Sequence, residues 1–150
     1  MAEKEALLHT LLGLSMIVEA RDPYTGGHLW RVSQFSKLLA QQAGLSRRDV
    51  ALCEIGGFLH DLGKVGVPDA ILNKPDRLTD GEYAVIKTHP TVGGRLLAHH
   101  PLANLTMDAV VGHHERPACG VCIGNHGYAL LLKQQRPPIF TTNAIYRIHQ

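Results

Sequence analysis

Segment 50–59 is the feature that most constrains the fold, because it is almost entirely apolar and ends directly at His60 and Asp61. Ser46 and Asp49 form a capping signal in front of it, so the pattern predicts a helix that is central to the fold. Burying polar side chains at its end without partners costs several kcal/mol, roughly 2–7 for a neutral polar group. The sequence therefore predicts that hydrogen bonds or a metal ion satisfy His60 and Asp61.

Apolar residues recur at helical spacing in five further segments, which predict helices near residues 7–22, 28–43, 79–89, 91–100 and 107–115. Thr79 and Glu82 give a second capping signal, and His89 with the proline after it is expected to end that helix. In the second helix, the expected core face carries Leu29, Val32, Phe35 and Leu39. No run of useful length alternates as a half-buried strand does, so we predict an all-α fold, a helical bundle.

The composition fits one globular domain. The chain has 150 residues, 45% of them hydrophobic and 19% charged, and a formal net charge of +2. No run rich in lysine or arginine indicates a nucleic-acid polymer as partner. The N-terminus has acids where a signal peptide needs basic residues, and its apolar stretch is too short to span a membrane, so we predict a cytoplasmic protein. Three cysteines, an odd number, argue against a disulfide framework.

Five of the histidines stand at predicted helix ends: His28, His60, His89, His113 and His114. Side chains at helix ends can point across a bundle toward one another, which is how helical bundles build metal sites from residues distant in sequence. Imidazole and carboxylate ligands suit iron, manganese, zinc or nickel, so the ligand types do not select the metal. A single histidine is more often a surface or hydrogen-bonded residue, but five together with Asp61 favour a metal site.

Four motifs, taken in this order, resemble one known family. They are "YTGGHLWRV" at 24–32, "HDLGK" at 60–64, "IKTHPTVGG" at 86–94 and "VVGHHERP" at 110–117. With these motifs, residues 1–117 look like the HD-GYP subgroup of the HD-domain phosphohydrolases. The resemblance implies an HD-type helical bundle with a two-metal site, often iron or manganese. It also implies hydrolysis of the bacterial second messenger cyclic di-GMP to a linear dinucleotide or GMP.

The resemblance implies a role for each matching position. His28 and His60 would hold the first metal, and Asp61 would bridge the two metals. The second metal would be held by His89, His113 and His114. Lys64 would contact a phosphate oxygen of the substrate. Two cations bridged by a carboxylate can bind a phosphodiester and give hydroxide near neutral pH. The alternatives are that Lys64 only complements a helix dipole, that Asp61 only orients His60, and that the last two histidines are a solvated pair.

The resemblance ends after residue 117. The family continues into a glycine-rich loop with the Gly-Tyr-Pro that names it, and then into a helix with an aspartate that completes the first metal. In this chain Gly127 and Tyr128 are followed by alanine, and all 13 acidic residues lie at or before Glu115. The second metal keeps its ligands, whereas the first is left with an incomplete shell that water fills or that binds metal weakly.

We therefore divide the chain into a truncated HD-GYP-like domain, 1–117, and a divergent tail, 118–150. The tail is either a non-native end, out of frame or recombined, which the coding DNA would reveal, or a genuine variant with a helix around "YALLLKQQ". Cys119 and Cys122, with His126 nearby, could form half a zinc site or a redox pair, but neither has its required context. Cys53 is most simply a small buried hydrophobe.

Two functions from different classes fit these observations. The first is hydrolysis of cyclic di-GMP with Asp61 and Lys64 as catalytic residues. We expect this activity to be weakened because the metal site is incomplete: the family binds two metals, and this chain could bind one. The second is a degenerate HD module that binds metal or nucleotide without turnover and docks a signalling-domain protein. In that second case the first helix would be the remnant of a connector to an upstream domain. Otherwise it is a plain core helix. Metal content and phosphodiesterase activity, measured side by side, distinguish the two.

Overall fold

The structure is a computed structural model, which describes residues 2–22 and 25–114. Within these ranges it has seven α-helices, one 3-10 helix and no β-strand, so the predicted all-α fold is confirmed. The elements are α1 (Ala2–Ala20), α2 (His28–Gln42), α3 (Arg47–Leu59), the 3-10 helix (Leu62–Gly66), α4 (Asp69–Leu72), α5 (Asp80–Ile86), α6 (His89–Leu97) and α7 (Ala103–Gly112).

Local capping begins two helices as the sequence predicted. Ser46 Oγ accepts a hydrogen bond of 3.2 Å from the backbone N–H of Asp49, and Thr79 with Glu82 forms a complete capping box at the start of α5. The prediction that His89 ends a helix was wrong, because His89 is the first residue of α6. The proline after it lies in the first turn of α6, where a missing N–H costs nothing and proline is favoured.

Helix α3 lies at the centre of the bundle, as predicted, and packs against α1, α2 and α7. The buried core is formed by Leu11, Leu59, Leu62, Leu97, Leu102 and Val110. Each fully buried leucine contributes roughly 1.5–3 kcal/mol relative to an exposed one. Because His60 and Asp61 stand in the chain between the core residues Leu59 and Leu62, the polar site is fixed to the edge of this core.

Helix α2 packs on α3 through small side chains. The buried residues in its middle and at its end are Ser33, Ser36 and Ala40. Leu29 is buried and Val32 is half-buried. Phe35 and Leu39 are 53% and 45% exposed, so the predicted core face of α2 was wrong at these two positions. The reason lies at Gly57 of α3, where an added Cβ would stand 2.8 Å from Ser36 Oγ and 3.1 Å from Ser33 Cα. The two helices approach too closely for large side chains between them.

The 3-10 helix approaches α6 closely where Gly63 has no side chain. A Cβ at this position would overlap with the carbonyl oxygen of His89 and would lie 2.6 Å from the backbone nitrogen of Gly93. Helix α6 in turn packs on α7, where a Cβ on Gly93 would come within 2.5 Å of the Val110 side chain. These two glycines bring Asp61, which immediately precedes the 3-10 helix, beside the start of α6.

No helix among residues 2–22 and 25–114 is long and apolar enough to cross a membrane. The cysteine on α3, Cys53, is buried with a free thiol, and burial raises the pKa of that thiol. The predicted domain boundary at residue 117, the tail helix and the Cys119–Cys122 pair lie outside the residues that the structure describes.

Candidate metal centre

Four helix ends meet at one point of the bundle. His28 is the first residue of α2, His60 caps the end of α3, His89 is the first residue of α6 and His113 caps the end of α7. The ring centroids are 5.4 Å apart for His28 and His60, 5.0 Å for His60 and His113, and 5.0 Å for His89 and His113. His114 lies 4.2 Å from His113. All five histidines that the sequence singled out are therefore together.

The start of α2, and with it His28, is held by a side chain of α1. Gly27 is the N-cap residue, with a left-handed φ of 72°, and it has no side chain to accept a hydrogen bond from the first turn. Glu19 supplies that acceptor, because its Oε1 receives a hydrogen bond of 2.9 Å from the N–H of Leu29. This role of Glu19 was not predicted from the sequence. Its signal was a glycine where Ser, Thr, Asp or Asn is expected at a helix start.

Asp61 lies between two groups of histidines and presents one oxygen to each. Its Oδ2 is 3.2 Å from His60 Nε2 and 3.8 Å from His28 Nε2. Its Oδ1 is 3.4 Å from His89 Nε2 and 3.9 Å from His113 Nε2. The carboxylate is buried, and the two groups share it.

Three of the rings are oriented by the same local hydrogen bond. Their Nδ1 atoms contact the backbone carbonyl three residues earlier, at 2.8, 2.7 and 3.0 Å in the pairs His60–Gly57, His89–Ile86 and His113–Val110. A carbonyl oxygen only accepts, so Nδ1 carries the proton and, in a neutral ring, Nε2 presents a lone pair. Histidines that bind metals are commonly oriented in this way, with the second ring nitrogen donating to a carbonyl.

The lone pairs of His89 and His113 face each other. Their Nε2 atoms are 2.9 Å apart, while both Nδ1 protons are used by backbone carbonyls. Two acceptors at this distance repel each other unless a proton or a metal cation lies beside them. The arrangement is therefore one that a bound cation stabilises.

The electrostatics of the site favour an ionised Asp61 carboxylate and neutral rings at His89 and His113. Burial raises the pKa of Asp61, but the charges and hydrogen bonds of His60 and Lys64 outweigh burial and hold the pKa well below its ordinary value. Burial lowers the pKa of His89. Burial, together with the charges of His60 and His114, lowers the pKa of His113 to about 3. At neutral pH, these groups are in the states that bind metal ions.

Two sets of side chains fit metal ions in donor type and spacing. The sets are His28, His60 and Asp61, and His89, His113 and His114, and in each set the ligand atoms lie within 4.8 Å of one another. Ligands bonded to one ion at about 2.0–2.2 Å are separated by about 3–4 Å, so small torsional changes would close either set around an ion. Imidazole nitrogens and a carboxylate suit several divalent transition metals, and the geometry does not select one.

Lys64 lies beside the first set. Its Nζ is 2.8 Å from Asp61 Oδ2, and its side chain is 17% exposed. A cavity of about 10 Å³, room for roughly one water molecule, is lined in part by Lys64, His28 and Asp61. The ammonium group therefore stands at the edge of the site with some access to solvent.

Comparisons with known proteins agree with this geometry. The sequence pattern of the HD domain family matches residues 25–136. The cyclic di-GMP phosphodiesterase response regulator RpfG of Xanthomonas campestris pv. campestris is 39% identical over 109 residues, which are 71% of this chain and 29% of that protein. A cyclic di-GMP phosphodiesterase of Thermotoga maritima is 36% identical over 138 residues, 91% of this chain and 36% of that protein.

A third relative is named for a different cyclic dinucleotide. The 3'3'-cGAMP-specific phosphodiesterase 3 of Vibrio cholerae is 33% identical over 131 residues, 87% of this chain and 28% of that protein. The chain thus spans about a third of the length of the curated relatives it matches.

The family match covers more than half of the chain, and the matched segment contains Asp61 and all five histidines of the site. The predicted resemblance to the HD-domain phosphohydrolases is confirmed. The names of the relatives support the HD-GYP subgroup of these proteins. On the strength of this match, the chain belongs to the HD domain family.

Proposed function

We propose that this chain hydrolyses cyclic dinucleotides, with cyclic di-GMP as substrate, at a two-metal site built around Asp61. The observation that carries the proposal is that the two oxygens of this carboxylate face two different groups of histidines. Two-metal sites that cleave phosphoesters need ligands that serve both ions. A carboxylate that only oriented His60 would have no reason to present its second oxygen to His89.

In this proposal each set of side chains holds one divalent ion, iron or manganese. His28 and His60 would hold the first ion, His89, His113 and His114 would hold the second, and Asp61 would serve both. Bound ions would supply Lewis acidity toward the phosphodiester and lower the pKa of water so that hydroxide forms near neutral pH. The hydrogen bonds from Nδ1 to backbone carbonyls keep each Nε2 lone pair directed at the site.

Lys64 is the proposed contact to a phosphate oxygen of the substrate. It is the cation closest to the shared carboxylate, with Nζ 2.8 Å from Asp61 Oδ2. A fixed positive charge in a partly desolvated site stabilises the negative charge that develops on a phosphoester in the transition state. In this role the ammonium group would donate to the phosphate oxygen instead of to Asp61.

We expect the two ions to bind with different strength in this 150-residue chain. The second ion can take three imidazoles together with Asp61, whereas the first has two imidazoles and that same carboxylate. No aspartate or glutamate follows Glu115 to complete the first set. In a titration of metal-free protein with Mn²⁺, one ion should bind about tenfold or more tightly than the other. His28→Ala should remove the weaker event, and two equal affinities would contradict the expectation.

Hydrolysis tests the proposed function. Metal-free protein is loaded with Mn²⁺ or Fe²⁺ and incubated with cyclic di-GMP or with 3'3'-cGAMP, and the linear dinucleotide and mononucleotide products are separated by chromatography. Metal ions per chain are counted by elemental analysis in the same samples. We expect bound metal and metal-dependent turnover, faster for cyclic di-GMP. A protein that binds metal without cleaving either substrate would overturn the proposal and favour the degenerate module.

A matched pair of histidine variants controls this experiment. His89→Ala removes a ligand of the second set and should lower turnover by about 100-fold or more. His9→Ala removes an exposed histidine of α1 that belongs to neither set, and it should leave turnover and metal content unchanged. Equal losses in both variants would mean that the site is not where the reaction occurs. A signalling-domain partner and a cytoplasmic location stay predictions.

A further inference from the structure

Arg21, the residue that follows α1, reaches across the bundle to the 3-10 helix that carries Lys64. One of its terminal nitrogens donates to the carbonyl of Val65 at 3.0 Å, with a weaker contact of 3.5 Å to the carbonyl of Lys64. The other terminal nitrogen donates to the carbonyl of Val67 at 2.8 Å and to Asp69 Oδ1 at 2.8 Å. Nε donates to the same Asp69 oxygen at 3.1 Å. One guanidinium thus binds four acceptors on the segment after Asp61.

This arrangement requires a guanidinium. The last carbonyl oxygens of a helical turn lie beyond its internal hydrogen bonds, and here those of Val65 and Val67 converge on one planar group with donors in fixed directions. The carbonyl of Lys64 also accepts a hydrogen bond from the N–H of Val67. An ammonium group is a point charge with a shorter reach and cannot serve several acceptors spread over one face. Arg21 therefore acts as a clamp between α1 and the 3-10 helix, not as one member of a surface ion pair.

The clamped segment is the one that presents Lys64 to the site. The 3-10 helix is held on its other side by α6, where Gly63 lies against the carbonyl of His89. Between these two contacts, Lys64 extends to Asp61, with Nζ 2.8 Å from Oδ2. Without Arg21, the 3-10 helix would keep its contact with α6. It would lose the hydrogen bonds that fix the orientation of the 3-10 helix about its own axis.

We propose that Arg21 is a positioning residue, which holds the 3-10 helix so that the Lys64 ammonium group stays against Asp61. The hydrogen bonds that carry this role join Arg21 to residues 64–69, the segment that includes Lys64. The proposed importance for turnover rests on the proposed function. The effect on the position of Lys64 does not, and it can be measured in the absence of substrate.

The first test measures how fast Lys64 reacts with a small acetylating reagent, by mass spectrometry of the modified protein. An ammonium group packed against a buried carboxylate reacts slowly because the contact and its low exposure shield it from the reagent. In Arg21→Ala, we expect acetylation of Lys64 to become about tenfold faster, with Lys37 unchanged. Lys37 is a suitable internal reference because it also pairs with a carboxylate, that of Glu54, at 3.1 Å.

Two further variants make the first test decisive. Arg31→Ala removes an arginine that donates a local hydrogen bond to the carbonyl of Gly26, and it should leave the reactivity of Lys64 unchanged. If Arg21→Ala unfolds, as judged by circular dichroism, Arg21→Lys takes its place and should accelerate Lys64 alone. A folded Arg21 variant in which Lys64 keeps its original reactivity overturns the proposal.

The second test links Arg21 to turnover through a double-mutant cycle with Lys64→Met. Arg21→Ala should lower kcat/KM for cyclic di-GMP by about tenfold in the native background and by less than about twofold when Lys64 is already absent. Equal losses in both backgrounds would overturn the positioning role, since a general effect on folding is additive. If the native protein shows no turnover at all, the proposed function fails, while the acetylation test still decides whether Arg21 holds Lys64.

Discussion

Asp61 and two of the histidines beside it, His89 and His113, prefer opposite charge states within one buried site. The carboxylate stays ionised because His60 and Lys64 hold its pKa low, although burial opposes this. His89 and His113 stay neutral because burial disfavours their charged forms. The neutral rings of His89 and His113 present lone pairs beside this negative charge, an arrangement that attracts cations. Among the described residues, Lys64 is the lysine that contacts the carboxylate.

Replacing Asp61 by asparagine should disable both metal positions at once. Asparagine has the same shape but no charge, so the fold should persist while the attraction for cations is lost. We expect bound Mn²⁺ to fall below one ion per chain and turnover of cyclic di-GMP to fall by about 100-fold or more. Elemental analysis and the hydrolysis assay measure these changes, with exposed Asp76→Asn as the control. A variant that still bound two ions would show that the carboxylate does not join the two sets.

At the scale of residues, the sequence was sufficient for the groups that make up the site but not for those that hold it in place. His60 and Asp61 were identifiable because they interrupt a buried apolar segment. Arg21 and Glu19 were not, because their partners lie on other elements: Arg21 binds carbonyls more than forty positions away. Hydrogen bonds to backbone atoms leave no pattern in side-chain type, so such contacts become visible only in three dimensions.

Elements are brought into contact here by glycines and other small residues, not by large apolar side chains. Gly57 admits Ser33 and Ser36 of α2, and Gly63 admits the backbone of α6. Sequence periodicity marked the correct helices but placed Phe35 and Leu39 on the core face of α2, because a period of apolar residues does not reveal how closely two helices approach. The 3-10 helix was not predicted, since it carries no apolar repeat of its own.

Substitution of Gly63 by alanine should separate the 3-10 helix from α6. The added Cβ would overlap with the carbonyl oxygen of His89, and backbone atoms cannot yield as a flexible side chain does. We expect the free energy of unfolding to fall by about 1–3 kcal/mol, measured by urea denaturation, together with loss of turnover. Gly13→Ala on α1 is the matched control, because nothing lies within 4 Å of its Cβ. It should be neutral or stabilising by up to about 1 kcal/mol, and equal destabilisation in both variants would refute the argument.

The capping box of α5 should make part of the stability depend on pH in the acidic range. Hydrogen bonds from Lys74 and from the backbone N–H of Thr79 lower the pKa of Glu82 from 4.5 to about 2. Because the folded state holds this pKa down, the stabilisation is fully present above about pH 4.5 and is lost as the pH falls toward 2. Glu82→Gln should therefore lower the melting temperature at pH 6 more than at pH 3.5. A difference that grows as the pH falls would contradict this assignment.

Across the whole molecule, the site joins parts of the chain that are far apart in sequence. The all-α bundle and the meeting of helix ends followed from the spacing of apolar residues and from histidines at the boundaries. What the sequence did not contain was the relative placement of those ends, which depends on the close approaches of α2 to α3 and of the 3-10 helix to α6. Tertiary packing of this kind is a property of pairs of elements, so no single segment records it.

Metal ions should stabilise the domain as a whole, because ligands from α2, α3, α6 and α7 would be joined through them. An ion present at one hundred times its dissociation constant adds about 2.7 kcal/mol of stability if it binds only the folded chain. Differential scanning fluorimetry should show a melting temperature that rises with Mn²⁺ and returns on addition of a chelator. Asp61→Asn should lack most of this shift, and an equal rise in that variant would point to binding elsewhere.

The hydrogen bond from Leu29 to Glu19 bears on where fragments of this domain can begin. A recombinant fragment started at residue 25, where the family match begins, would retain every histidine of the centre yet lose both Glu19 and Arg21. The first turn of α2, which orients His28, would then lose its hydrogen bond to Glu19. The 3-10 helix that carries Lys64 would lose its hydrogen bonds to Arg21. Expression boundaries for this domain therefore belong upstream of α1.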